Sequence, residues 1–461
     1  MRHLIRLTPA VLGVALCFCP TRAAEDSAAD EKMLRALYTA ALAGSPAYGQ
    51  LRDLTTRHPG RLAGSKNLEG AVQWARSVLE QTGADRIELQ PVMVPHWERG
   101  APETVRYYSR QIVSPTLTAL ALGGSVPTPA GGLRAPVVEL QSLDELTTTD
   151  VKGRIVFFNR PMNPALVSTG RAYGEAGDQR NRGPAAAGPH GAVGVLVRSL
   201  TLARDDIPHA GATTYRPGGP RIPATALSPM AADNLSAALK LDPALTAEMI
   251  INSTWHDDAL SHNVIGELRG REHPEKIILV GGHLDSWDIT PGAHDDGAGC
   301  IQSIEVLRLL KAVGYTPRHT IRCVLFTNEE NGTRGATAYA TAVAARQEQH
   351  LLALETDGGG YQPRGFNLGN PAGDAHLRTA RWLPLFEAYG ICSFQKGTGG
   401  ADVHPLLAHG ATVAGLTTDS QRYFDLHHSA ADRIDQVNPR ELELGAAAMA
   451  ALVYLVDRHG L

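Results

Sequence analysis

Sulfur and aromatic side chains are scarce in this chain. Only five cysteines occur in 461 residues, and none form a CxxC pair, so a thiolate zinc site is not expected. Aromatic residues make up 5%. No basic tract stands out, and Lys+Arg 43 against Asp+Glu 47 leaves a net charge of -4, which argues against a nucleic-acid partner. Beyond the N-terminal leader no stretch approaches the roughly 18 apolar residues of a membrane span. There is no HExxH, no GxSxG, no GxGxxG and no phosphate-binding loop. Their absence argues against a single-zinc helix protease, a nucleophile elbow and a bound nucleotide.

What is present is an ordinary globular composition, 43% hydrophobic and 20% charged, long enough for two or three domains. Gly 47 and Pro 29 indicate many turns and long loops. Residues 1–23 read as a secretory signal: Arg2 and Arg6, a short apolar core from Val11 to Cys19, then Thr21-Arg22-Ala23. The expected address is secreted or periplasmic, with an uncleaved anchor as the alternative. Leu16 before Cys17 argues against a lipoprotein. Cys300, Cys323 and Cys392 remain, enough for one disulfide at most.

Residues 30–82 read as helical, most clearly Lys66 to Gln81, where Leu68, Val72, Ala75, Val78 and Leu79 fall on one face. Residues 85–94 alternate like a strand, and Pro91 suggests an edge. From 111 to 255 short strand-like runs lie between Gly- and Pro-rich loops, read as a small β-rich domain inserted in the chain. A core of 24–110 and 256–461 is left. From 262 on, strands (277–280, 319–326, 350–354, 411–416) alternate with helices (297–310, 335–345, 441–456). That rhythm implies an α/β fold, a mostly parallel mixed sheet with helices on both faces.

In such sheets the active site lies beyond the carboxyl ends of the strands. Those ends read GGHLDS (281–286), GAHDDG (292–297), TNEENG (327–332) and ETDGGG (355–360), with YFDLHHSAAD (423–432) near the close. Each carries His, Asp or Glu, the donors that zinc accepts. The carboxylates exceed what one ion needs, and two metals sharing a bridging carboxylate account for the excess. Any one of these acids alone could be a helix cap or a solvated loop residue; their joint occurrence is what points to a site.

With these residues in view, the sequence resembles the co-catalytic di-zinc exopeptidases, a family of bacterial zinc aminopeptidases and glutamate carboxypeptidases, and within it the carboxypeptidase Q subgroup. The motifs GGHLDSWD (281–288), GAHDDGAG (292–299), TNEENG, ETDGGG and HHSAAD (427–432) carry the resemblance, together with RHPGRLAGS (57–65). It implies the zinc exopeptidase fold, with the 111–255 insert resembling a protease-associated domain. It implies two Zn2+ per chain: His283 and Asp357 on one, Glu330 and His428 on the other, and Asp295 bridging. Glu329 would be the general base and Asp285 would hydrogen-bond the free nitrogen of His283. A cis peptide between Asp295 and Asp296, a peptide substrate and a homodimer are also implied.

Several assignments stay open. His427 competes with His428 as ligand, and His294 could approach the cleft. Asp402 and His404, in GTGGADVHP (397–405), either position substrate or form a turn. Tyr423 is a candidate donor to the oxyanion. Arg364, Arg422 and Lys396 are candidates for holding a substrate carboxylate. Three functions remain in play: a carboxypeptidase or dipeptidase, an aminopeptidase with the same metal centre, and a non-catalytic binding ectodomain on the same fold. The intact ligand set and Glu329 argue against the third.

Overall fold

The computed structural model describes residues 20–113 and 115–461. Apart from its last residues, which open a helix at Pro20, the expected leader lies outside the described residues. Among the described residues no helix is long and apolar enough to cross a membrane.

The first sheet is mixed and has eight strands. Its order is Arg86–Glu98, Thr254–Leu268, His319–Phe326, His273–His283, Gln349–Glu355, Thr412–Thr418, Pro363–Gly369, Ser393–Lys396. The central strands run parallel and are buried on both faces, which is why their sequences read as unbroken apolar runs. Ile278 and Val280 face helices Ala298–Ala312 and Pro439–His459, while Ile277 and Leu279 face helix Arg334–Arg346. Pro91 does lie on an edge strand, Arg86–Glu98, paired only with Thr254–Leu268. Helix Lys66–Thr82 starts on Ser65, whose hydroxyl accepts the Leu68 N–H, and stops at left-handed Gly83.

A second eight-stranded sheet is built entirely from strands between Thr104 and Ile250. Ile155 and Phe157 face one apolar cluster, Val156 and Phe158 another. It also carries helices, Thr169–Ala176, Asp178–Asn181, Gly183–Ala187 and Pro229–Leu241, so this region is mixed α/β rather than chiefly β. The two sheets meet at a small apolar seam of Leu62, Trp97, Leu120, Ala210 and Trp287.

Candidate active site

The loops after the parallel strands converge on one cleft, as the topology requires. His283 ends its strand, Glu329 and Glu330 follow Phe326, Asp357 follows Glu355, and His428 follows the strand ending at Thr418. The Asp295 carboxylate lies at the centre. Its Oδ1 is 3.3 Å from His283 Nε2, which is also 3.6 Å from Asp357 Oδ1. Its Oδ2 is 3.3 Å from His428 Nε2, which is 3.0 Å from Glu330 Oε2. The five expected donors are thus brought together, in two groups joined by one carboxylate. The Asp295–Asp296 peptide is cis.

His427 stacks on His428 at 3.5 Å between ring centroids and places its Nε2 3.5 Å from Asp295 Oδ2. Glu330 pairs with His428 and not with His427 among the described residues, which favours His428 as the donor. His428 is held in the left-handed backbone region (φ 60), at a cost of order 1 kcal/mol. Its carbonyl accepts the Ala210 N–H at 2.7 Å, and His209 Nδ1 lies 2.7 Å from the His427 carbonyl. The second sheet's loop therefore holds the turn in place.

A brace supports each donor. Asp432 accepts the backbone N–H groups of His294 and Asp295. Asp296 accepts those of His283 and Gly299. Arg61, fully buried, donates to the carbonyls of Leu284 (2.6 Å), Pro291 (2.5 Å) and Gly292 (2.9 Å), tying down the loop between His283 and Asp295. Asp285 differs from expectation. His283 Nδ1 is 3.1 Å from the Asp285 carbonyl oxygen and 3.8 Å from its carboxylate. The carboxylate instead accepts the N–H groups of Glu329 and Glu330, because the loop after Phe326 turns over it.

Tyr423 points its hydroxyl at Asp357 Oδ1, 3.2 Å away, and Asp402 is buried with both carboxylate oxygens unpartnered beside Glu355. His404 does not reach the cleft. It is exposed, its Nδ1 3.3 Å from the Thr398 carbonyl. His294 is buried outside the donor groups, stacked on Tyr361. The three cations considered from sequence are also elsewhere. Arg364 pairs with Asp419, and Arg422 and Lys396 are exposed. The cation that does line the cleft, a space of about 380 Å³, is Arg180, with Tyr173, Asn181 and Thr214. No local motif flags these four, because they come from the connections of the second sheet, about 70 to 110 residues before His283 in sequence.

Burial and the neighbouring carboxylates push Asp295 up to about 6 and Glu329 up to about 8. Burial works against a charge on His283, yet Asp295 and Asp357 outweigh it and the net shift is upward. Burial holds His428 well below the usual histidine range, so it is neutral and able to coordinate. His283 Nε2, Asp295 Oδ2 and Glu330 Oε1 are buried without a hydrogen-bond partner. Separations of 3.0–3.6 Å match the ~3.4 Å edge of a tetrahedron with bonds of ~2.1 Å. Imidazole and carboxylate donors at these spacings fit zinc.

The chain is 33% identical to carboxypeptidase Q of Bos taurus over 398 residues, covering 86% of this chain and 82% of the relative. The chain belongs to peptidase family M28. The family model itself matches residues 263–453, the segment that holds all five donors. The human carboxypeptidase Q is 32% identical over the same shares. A solved peptidase M28 precursor from Shewanella amazonensis SB2B superposes with a TM-score of 0.90 at 33% identity, covering 94% of this chain and 98% of that one. An aminopeptidase from Aneurinibacillus sp. strain AM-1 shares the fold at TM-score 0.63 and 18% identity, covering 93% and 96%.

Proposed function

We propose that this M28 chain is an exported di-zinc exopeptidase that hydrolyses dipeptides or short peptides from a free carboxylate end. The observation that carries the metal count is the division of Asp295: one oxygen faces His283 and Asp357, the other His428 and Glu330. Those five residues would hold the two ions, which when bound acidify water and polarise the scissile carbonyl. Glu329, in the same cleft, takes the water proton and returns it to the leaving amine. Tyr423 steadies Asp357 and is the candidate donor to the developing oxyanion. Asp285 sets the backbone of Glu329 and Glu330. Asp402 enters only as a buried neighbour of Glu355.

Arg180 supports the carboxylate preference. Its guanidinium donates to Asn181 Oδ1, the Ala210 carbonyl and the Tyr173 hydroxyl. Two of its five N–H groups are left over, and among the described residues it forms no ion pair. A substrate carboxylate would complete it. The acidic donors favour the second reading, an aminopeptidase, by attracting an ammonium. Export, a homodimer and a protease-associated role for residues 111–255 rest on the leader-like sequence and the family resemblance.

Two blocked dipeptides test the reading: one N-acetylated with a free carboxylate, one with a free N-terminus and an amidated C-terminus. Cleavage of the first alone, lost in Glu329→Gln, supports it. Cleavage of the second alone makes the protein an aminopeptidase.

A further inference from the structure

The polypeptide passes between the two sheets twice. Residues 99–103 lead out of strand Arg86–Glu98, and residues 251–253 return into Thr254–Leu268. On the catalytic side of both crossings, His96, Glu98 and His256 converge, with donor atoms within 4.8 Å of one another. His96 and His256 sit directly opposite each other in the antiparallel ladder, their rings 4.5 Å apart. His96 Nε2 is 3.4 Å from Glu98 Oε1, and His256 Nε2 is 3.2 Å from Glu98 Oε2. These are the spacings found among the donors of the cleft, and the residue types are two imidazoles and one carboxylate, a set that zinc accepts with a position left open.

The placement is built into the strand. Up to Val94 the ladder has one register, which continued unchanged would set Asp257 against His96. A bulge between Val94 and His96 shifts the pairing so that His256 takes that place. Bulges re-aim side chains in this way. The His96 ring is also held from behind. It lies on Gly64, in a left-handed turn (φ 85), where an added methyl would stand 2.8 Å from the ring. The His96 side chain is 23% exposed, so this ring has little rotamer freedom left to lose on binding an ion, while His256 (40%) and Glu98 (60%) stay open to solvent.

We propose that His96, Glu98 and His256 form a metal site separate from the cleft, for a zinc-class divalent ion, which clasps the two crossing strands. The second sheet, with Arg180 and Tyr173, hangs from those strands.

The test uses the full-length protein with its cleft already loaded with zinc. Further Zn2+ is titrated against a competing chromophoric chelator, comparing wild type with Glu98→Gln and the double variant His96→Asn/His256→Asn. Wild type takes up about one further ion per chain, and both variants lose it or bind it at least tenfold more weakly. Added zinc raises the unfolding temperature of wild type only. Cu2+ supplied in place of the added zinc gives an electron paramagnetic spectrum with two nitrogen donors, absent in the double variant. Retained peptide hydrolysis in the variants shows that they fold and keep the cleft loaded. Equal uptake by wild type and variants, or uptake in wild type that leaves the unfolding temperature and the copper spectrum equal to the variants', overturns the proposal and leaves the triad as a hydrogen-bonded cluster.

Discussion

Replacing Arg61 by Met keeps most of the stem volume and removes the guanidinium. The buried carbonyls of Leu284 and Gly292 and the half-buried carbonyl of Pro291 then lose their donors. A hydrogen bond to a charged group contributes about 1.5–3 kcal/mol net, and a buried carbonyl left alone costs about 1–3 kcal/mol. With partial relaxation of the loop, three together put R61M at roughly 4–6 kcal/mol of destabilisation. At about 2 °C per kcal/mol for a chain of this size, the unfolding midpoint falls by roughly 10 °C. The loop joins His283 to Asp295, so the donors on either side of Asp295 move relative to each other. A displacement of about 1 Å costs on the order of 10²-fold in rate. R61K restores the charge but reaches fewer carbonyls, and it should fall between. Calorimetry and steady-state hydrolysis on the three proteins decide the matter. An R61M variant that melts within about 2 °C of wild type and hydrolyses normally would refute the brace.

Glu329→Gln should lower kcat by about 10²–10⁴-fold while zinc content, read by elemental analysis, stays at the wild-type level; loss of zinc would instead make Glu329 a ligand. Gly211 has φ 135 and its backbone lies against the Arg180 guanidinium, so Gly211→Ala should displace Arg180. It should raise KM for substrates with a free carboxylate, leaving amidated ones unchanged; equal effects on both would remove Arg180 from substrate recognition. Burial and Arg322 hold His350 down at about 3, against an ordinary value of 6.5. The stability it contributes is complete above pH 6.5 and is lost as pH falls from there toward 3. The shift corresponds to on the order of 5 kcal/mol. Urea midpoints measured across that window should fall less steeply for His350→Gln than for wild type, and parallel profiles would show that His350 does not control the acid limb.

The parts of this molecule that were legible in the sequence are those whose signal is local. Each parallel strand is a short apolar run, and His283, Glu330 and Asp357 end or closely follow such runs, so strand and ligand were readable together, whereas Asp295 and His428 lie further along their loops and were legible from GAHDDG and HHSAAD. Strand Thr254–Leu268 was not: its first half, TWHDDA, is exposed and polar, and its length comes from pairing with Arg86–Glu98 rather than from any alternation of its own. His404 was a candidate, as a substrate-positioning or a turn residue, through its motif GTGGADVHP (397–405), of which Asp402 is buried. The peptide turns after Val403, and the side chain goes to solvent. Arg180 was invisible for the opposite reason. It sits in a segment, RNRGPAAAG, that reads as a loop, and only the packing of Ala210 and Gly211 brings it to the cleft. Asp285 was found, but its contact depends on the path of a backbone 44 positions along the chain, which spacing does not encode.

All five donors and Glu329 come from loops of one sheet, while the wall opposite them comes from the other. The two are joined by only two strands of chain. On the function proposed above, hydrolysis and choice of substrate lie on separate stretches of sequence, coupled where His209 and Ala210 hold the His427–His428 turn. Exchanging residues 104–250 with those of a relative, His209 and the Ala210 contact being kept, would then transplant a preference while leaving the chemistry of the recipient in place.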